Sequence, residues 1–466
     1  MSIPNGRAQG FSAIAAREAG LRRELSAGRL TMIALGGAIG TGLFLGSGFA
    51  ISLAGPAVLL AYALGAVIAL LLMGCLAEMT IAHPTAGSFG AYAEYYVGPL
   101  AGFLVRYAYW TCIVLAVGTE VTAVALYMRF WLPDVPGWVW IVSFATALIG
   151  VNARSVGAFG TLEYVFSALK LLAIALFIVL ASYLLWRGRA GPGTGLSNYT
   201  AYGGFAPHGP WGAWTAVIVA IFSYFSIEMI AVAAGEAVDP RRAARRAFRA
   251  TLVRLIVLYL LTLALILALV PWPQAGLDES PFVKVMRRLA IPGAAGIFNG
   301  VILVAALSAM NSQLYISTRM MFSLARAGHA PRRLGALNAR GVPQRALLLS
   351  SAGIALAAAL SVLAPRSAFT LMIAVSSFGA MFTWLMIFIT HYRFRRAHPP
   401  RGADFRMRGF PWTTLLGAGL MAAVLLTTLF THEFRATLLF GAPFLVLLLV
   451  GYRYASAGAA SSAGAS

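Results

Sequence analysis

Charge and cysteine are both scarce in this 466-residue sequence. Asp, Glu, Lys and Arg make up 11% of it and hydrophobic residues 60%, whereas an ordinary soluble domain is about a quarter charged. Lipid is therefore the expected solvent for most of the chain. The two cysteines, Cys75 and Cys112, lie in apolar stretches without CxxC spacing. This excludes a disulfide framework and a zinc site and leaves both as core residues. Lysine occurs only twice, at Lys170 and Lys284, neither in a GxxxxGK(S/T) context, and HExxH is missing. ATP-driven transport and zinc-protease chemistry have no support, so the chain is not expected to be an enzyme or to carry a metal or cofactor. The six histidines (83, 208, 329, 391, 398 and 432) stand at span ends or in loops without metal-ligand spacing. The first 29 residues hold five arginines and no apolar h-region, so no cleaved signal peptide is expected.

What the chain does have is apolar length. Stretches of about 20 apolar residues, enough to cross a bilayer as a helix, begin near residues 30, 56, 99, 137, 161, 213, 250, 293, 347, 368, 411 and 434. Twelve transmembrane helices are expected, several longer than the minimum and hence tilted or broken. A net charge of +21 would point to nucleic acid in a soluble protein, but here its distribution argues otherwise. With the N-terminus in the cytoplasm, the cytoplasmic segments carry 23 of the 35 Lys and Arg and the outer loops 8. Four more (Arg106, Lys170, Arg254, Arg319) fall inside spans. That asymmetry is the positive-inside rule; it places both termini in the cytoplasm and removes the case for a nucleic-acid partner. The loop containing Arg241, Arg242, Arg245, Arg246 and Arg249 reads as a topology determinant, with contact to anionic membrane lipids as a second use. No soluble domain is expected. Residues 1–29 form a cytoplasmic tail, 30–454 the membrane domain, and the Ala/Ser/Gly-rich 455–466 a disordered tail.

Two spans are interrupted at corresponding places. The first carries GGAIGTGLFLGSG (36–48), with six glycines in thirteen residues and Thr41 between Gly40 and Gly42. The sixth carries FSYFSIE (222–228), where Ser223, Tyr224, Ser226 and Glu228 interrupt an apolar run. Interrupted segments at equivalent positions of two halves point to a site at the interface of inverted repeats. Here these are 30–186 and 213–393, with two further helices at 411–454. Glycine costs about 1 kcal/mol in a helix interior, so six of them favour unwinding, which membrane depth tolerates only beside a cavity. Unwound backbone there offers N–H groups to a carboxylate and, from the sixth span, carbonyls to an ammonium. The alternative for the glycines is close packing through Gly36/Gly40 and Gly42/Gly46. For the serines it is back-bonding to the preceding turn with a slight bend.

Ionisable groups deep in spans are functional hypotheses by default: Glu120, Lys170 and Glu228. The Lys170 amine can stand in for a sodium ion and exchange a proton, or it can be a structural cation paired with Glu163 two turns earlier. Glu120 faces a substrate or pairs with Arg106, which is too far along the same helix for a local contact and needs a partner from elsewhere. Glu78, Glu163, Glu236, Arg254 and Arg319 lie nearer span ends, where capping, snorkelling or interhelical pairing is expected.

From about Leu25 to Arg453 the sequence resembles the amino acid–polyamine–organocation superfamily, and within it the bacterial amino-acid transporter family. The resemblance rests on GGAIGTGLFLGSG, AGSFGAYA (86–93), FWLPDVPGWV (130–139), FGTLEYVFSALKLLAI (159–174), AAGEAVDP (233–240), SPFV (280–283), ALSAMNSQLYISTRMMFSLARAGHAP (306–331) and RGVP (340–343). It implies a LeuT-like fold of two inverted five-helix repeats plus two helices, working by alternating access. By motif it places Ile39, Gly40, Thr41 and Gly42 at the substrate backbone, and Phe222, Ser223 and Phe225 at the amine side. Glu120 falls on a third-helix carboxylate, Tyr224 and Glu228 at a gate, and Lys170 where proton-coupled relatives keep a lysine. Two departures stand out. Family members often read FSFGGLE where Phe225 and Ser226 stand here, which narrows the pocket and favours a smaller side chain. The usual GWNYW is VRYAYW (105–110), and Arg106 has no family role.

The expected activity is secondary active import of a neutral L-amino acid by proton symport across the cytoplasmic (inner) membrane. Exchange without net proton movement is the alternative within transport, and a membrane amino-acid sensor the alternative outside it. The expected partners are the amino acid, protons and membrane lipids.

Overall fold

Inside lipid each backbone N–H and C=O must find its partner within the protein, which leaves helices as the solution for a single chain of apolar segments. The computed structural model describes residues 6–189, 191, 193–275, 279–289, 291–363, 368–398 and 405–463. Side chains are described there except at 6–9, 246, 249–252, 361, 368–370 and 455–463. The arginines at 246 and 249, and the last three residues of the C-terminal tail, therefore lie outside what can be described. Among the described residues there is no strand, only an isolated bridge between Leu25 and Ala237.

The helices run α1 Gly6–Arg17, α2 Ala27–Ala38, α3 Thr41–Phe44, α4 Gly46–Ala54, α5 Val58–Ala82, α6 Ser88–Tyr96, α7 Pro99–Met128, α8 Gly137–Arg154 and α9 Val156–Trp186. They continue as α10 Gly209–Tyr224, α11 Met229–Ala233, α12 Pro240–Leu269, α13 Pro281–Arg288, α14 Ala294–Arg326, α15 Gln344–Ser350 and α16 Ala352–Leu363. The last three are α17 Ala368–Ala397, α18 Trp412–Thr427 and α19 Arg435–Ala463. Eight stretches among the described residues are long and apolar enough to cross a membrane, and Val253–Leu269 and Gln344–Leu360 are shorter apolar helices. The protein is thus an all-α polytopic membrane protein. Leu172, Leu176 and Val179 on α9 and Val446 and Leu447 on α19 stand exposed, the apolar surface that lipid covers.

α7 packs along α14 and α17, and α2 lies against α9, α12 and α14. α10 packs on α4 and α5. Both interruptions read from the sequence are real breaks. The first falls at Ile39 and Gly40, where the backbone leaves helical geometry between α2 and α3. The second follows α10: Phe225 is extended and Ser226 adopts φ 76° before α11 begins. That left-handed value favours glycine, and Ser226 holds it where the family pattern reads glycine.

Candidate substrate-binding site

Breaking a helix frees backbone groups that must be satisfied, and their partners define the centre of this molecule. At the first break Lys170 Nζ, fully buried, donates to the carbonyls of Gly36 and Ile39, the latter at 2.9 Å. The Tyr259 hydroxyl on α12 sits between the two breaks, sharing its proton with Ala38 O at 2.8 Å and Ser223 O at 3.0 Å. Ser223 Oγ donates to Gly42 O at 2.8 Å, which leaves Tyr62 as donor to Ser223 Oγ at 2.8 Å. On the amide side, Thr41 N–H donates to Glu120 Oε2 at 3.3 Å. The amides of Gly42 and Leu43 open the next helical turn and so have no acceptor within it.

Between the two breaks lies a narrow cavity with about 10 Å³ of free space, the size of one water molecule. Gly37, Ala38, Gly40 and Gly42 form its backbone wall, facing Ile113, Ala116 and Glu120 of α7, Phe222, Phe225 and Ser226 of the second break, and Gln313 of α14. Gly40, Gly42, Glu120, Phe222 and Phe225 are therefore brought together on one cavity. Ile39, Thr41 and Ser223 stand just behind it, holding its wall through the hydrogen bonds above. The Phe222 and Phe225 rings meet edge to face at 5.7 Å and Phe225 continues onto Trp384 at 5.4 Å. Tyr224 turns away, with its ring against Tyr62 and Tyr259. Glu228 is fully buried behind the second break and accepts from Tyr109 at 2.6 Å, Trp384 at 3.1 Å and Ser226 N–H at 3.2 Å.

Close packing and unwinding, the two readings of the glycine cluster, both hold, and they coincide at Gly40, which stands at the break and where a Cβ would lie 2.7 Å from Ala309 Cβ. A Cβ on Gly42 would lie 2.8 Å from Ser223 Cα, and one on Gly37 2.7 Å from Met229 Sδ. Gly46, by contrast, has only ordinary contacts at 3.6 Å.

The structure gives the buried charges their hydrogen-bond partners. Lys170 is held by backbone carbonyls, while Glu163 accepts from Ser308 and, at 3.0 Å, from Asn311, both on α14. Asn152 of α8 donates to Asn311 at 2.8 Å, extending this polar seam across three helices. Glu120 does not pair with Arg106. The Arg106 guanidinium, completely buried, donates to Ser323 Oγ at 2.8 Å, Glu94 at 2.8 Å and Glu18 at 3.2 Å. Glu18, from the N-terminal tail, also accepts from Thr85 at 2.8 Å and Gly87 N–H at 2.7 Å. The tail is thereby bonded to the scaffold immediately before α2. Removing one partner of a buried ion pair costs about 3–5 kcal/mol. Arg106→Ala should accordingly lower the thermal midpoint of the detergent-solubilised protein sharply, with Glu18→Gln milder because it keeps part of the hydrogen bonding. Interhelical pairing accounts for Glu236 with Arg319, at 2.8 Å, and for Glu78 with His391 and Arg395 at 3.1 and 2.9 Å. Arg254 is exposed on α12.

Sequence reasoning missed Tyr259 and the polar face of α14. Ser308, Asn311, Ser312 and Gln313 interrupt an apolar run in the same way as Glu120 does, and that signal would have found them. For Tyr259, an aromatic in an apolar span, there was no signal.

A sequence model of the amino acid permease family matches residues 29–457. The chain belongs to the amino acid permease family. This permease is 37% identical over 437 residues to the uncharacterized amino acid permease YtnA of Bacillus subtilis (strain 168), covering 93% of this chain and 94% of that protein. It is 38% identical over 439 residues to the aromatic amino acid transport protein AroP of Escherichia coli (strain K12), covering 93% and 95%. The AroP of Salmonella typhimurium (strain LT2) is 38% identical over 434 residues, with the same coverage. Family, near-complete coverage and apolar helices together make the chain a multi-pass membrane protein of amino-acid transport.

Proposed function

We propose that this permease imports a neutral L-amino acid together with protons across the bacterial inner membrane by alternating access. The fold read for it is twelve spans, ten of them in two inverted repeats, with both termini cytoplasmic. One observation carries the proposal: two helix breaks face each other across a single narrow cavity. Amides at the start of a half-helix suit the carboxylate of a zwitterion, and Gly42, which lines the cavity together with Glu120, carries such an amide. Phe222 and Phe225 close the cavity, so substrate entry requires them to move, with Glu228 and Tyr224 behind them setting the second break. Lys170 is the proton-coupling group, its ammonium bonded to the broken helix as a sodium ion would be. The names of the AroP relatives put aromatic amino acids first among the substrates to try, and the apolar wall of Ile113, Ala116, Phe222 and Phe225 supports an uncharged side chain.

The test is uptake by proteoliposomes under an imposed inward proton gradient, read against a panel of the twenty amino acids plus GABA. Accumulation of a neutral amino acid that collapses with the gradient is expected. Accumulation indifferent to the gradient rules out symport, and uptake that requires internal amino acid identifies exchange.

A further inference from the structure

One residue lining the central cavity carries a buried polar atom without a hydrogen-bond partner. Gln313 is the residue of α14 that lines it, and its side chain is 5% exposed. Its amide oxygen Oε1 is buried and has no hydrogen-bond partner. Leaving a buried acceptor unpaired costs free energy, so an orphan on a residue that lines a binding cavity is an acceptor built for something that enters it. Ser308 and Asn311 of the same helix both serve Glu163, and Ser312, whose Oγ is also unpartnered, does not line the cavity.

We propose that Gln313 is a specificity-determining residue: its Oε1 accepts a hydrogen bond from the side chain of the transported amino acid, selecting substrates whose side chain carries a donor. The inference rests on the transport reading above and deepens it. An ammonium is common to all amino acids, so an acceptor spent on it would not select among them. Gln313 stands on a third helix, beside Phe222, Ile113 and Ala116, where a side chain would lie. An apolar wall with one acceptor suits an aromatic hydroxyl, an indole N–H or a small hydroxyl better than a purely hydrocarbon group. Selectivity from such an acceptor is large for a simple reason: a substrate without the donor leaves the buried oxygen unpaired, a penalty that shape alone cannot supply.

The experiment uses the full-length protein in proteoliposomes and measures inhibition of uptake by matched pairs differing in one donor: tyrosine against phenylalanine, threonine against valine, and glutamine against methionine. Wild type should favour the donor-bearing member of the fitting pair by about 10-fold, the worth of one hydrogen bond. In Gln313→Met, close in volume, the ratio should fall to about 1, with the donor-less inhibitor changing by less than about 3-fold. Gln313→Asn, which withdraws the amide by one methylene, should also reduce the ratio and serves as the check if the methionine variant does not reach the membrane. An unchanged ratio in the variants overturns the proposal. So does a wild type without preference, a preference for acceptor-bearing side chains, or equal weakening of all inhibitors, which would place Oε1 on the shared ammonium. If no amino acid accumulates or competes in wild type, the transport reading itself fails, an outcome distinct from transport without donor preference.

Discussion

Gly42→Val is expected to abolish uptake, and Gly42→Ala to reduce it by about 100-fold, the order of loss that misplacing a site by 1 Å produces. The cause is contact between backbones. A Cβ at position 42 would meet Ser223 Cα at 2.8 Å, Ser223 Oγ at 3.2 Å and Phe222 Cδ1 at 3.3 Å. The first of these is main chain and cannot swing aside, so the halves of the site must separate. Separation breaks the bond from Ser223 Oγ to Gly42 O and displaces both Phe222 and the amide that follows Thr41. Overpacking of this kind costs about 1–3 kcal/mol, concentrated here on the cavity wall. Gly46→Ala, four residues on and facing only contacts at 3.6 Å, should transport as wild type. Initial rates of radiolabelled uptake, normalised to protein in the membrane, make the comparison. Full activity in Gly42→Val would remove the cavity from the transport path.

Lys170→Met is the second large effect. Its ammonium holds Gly36 O and Ile39 O on the two sides of the last turn before the break. Methionine fills the volume but donates nothing, leaving two buried carbonyls unpaired at about 1–3 kcal/mol each. It also removes a positive charge from an interior that holds Glu120 and Glu163, both buried. Gradient-driven accumulation should fall at least about 5-fold, the least that one lost carbonyl partner implies, while binding, measured by the thermal shift with substrate, falls less. The separation of the two readouts distinguishes a coupling lysine from a merely structural one, whose loss would depress both together. Wild-type accumulation in Lys170→Met would end the proton-coupling role.

Much of this was legible in the sequence because lipid imposes a strict condition on it. The apolar runs, the buried cysteines and the interruption at 36–48 all follow from what a helix in a bilayer can contain. The pairing of Glu236 with Arg319 could be expected because charges at span ends need partners. The partners of Arg106 could not be read. Glu18 is 88 residues away in sequence, and no periodicity or motif connects an N-terminal tail to the third apolar span. Ser226 could be named as a departure from the family pattern, but its φ of 76° exists only once α10 and α11 are anchored on either side of it.

By itself, then, the sequence determined that the chain is helical and lives in a membrane, and it marked 36–48 and 222–228 as interruptions, since hydrophobic length and glycine or serine interruptions act locally. Which groups meet at those breaks was decided only by the tertiary structure. Tyr259, Lys170, Glu120 and Gln313 come from four different helices, and a hydrogen bond depends on where two helices cross, a position that no single segment encodes.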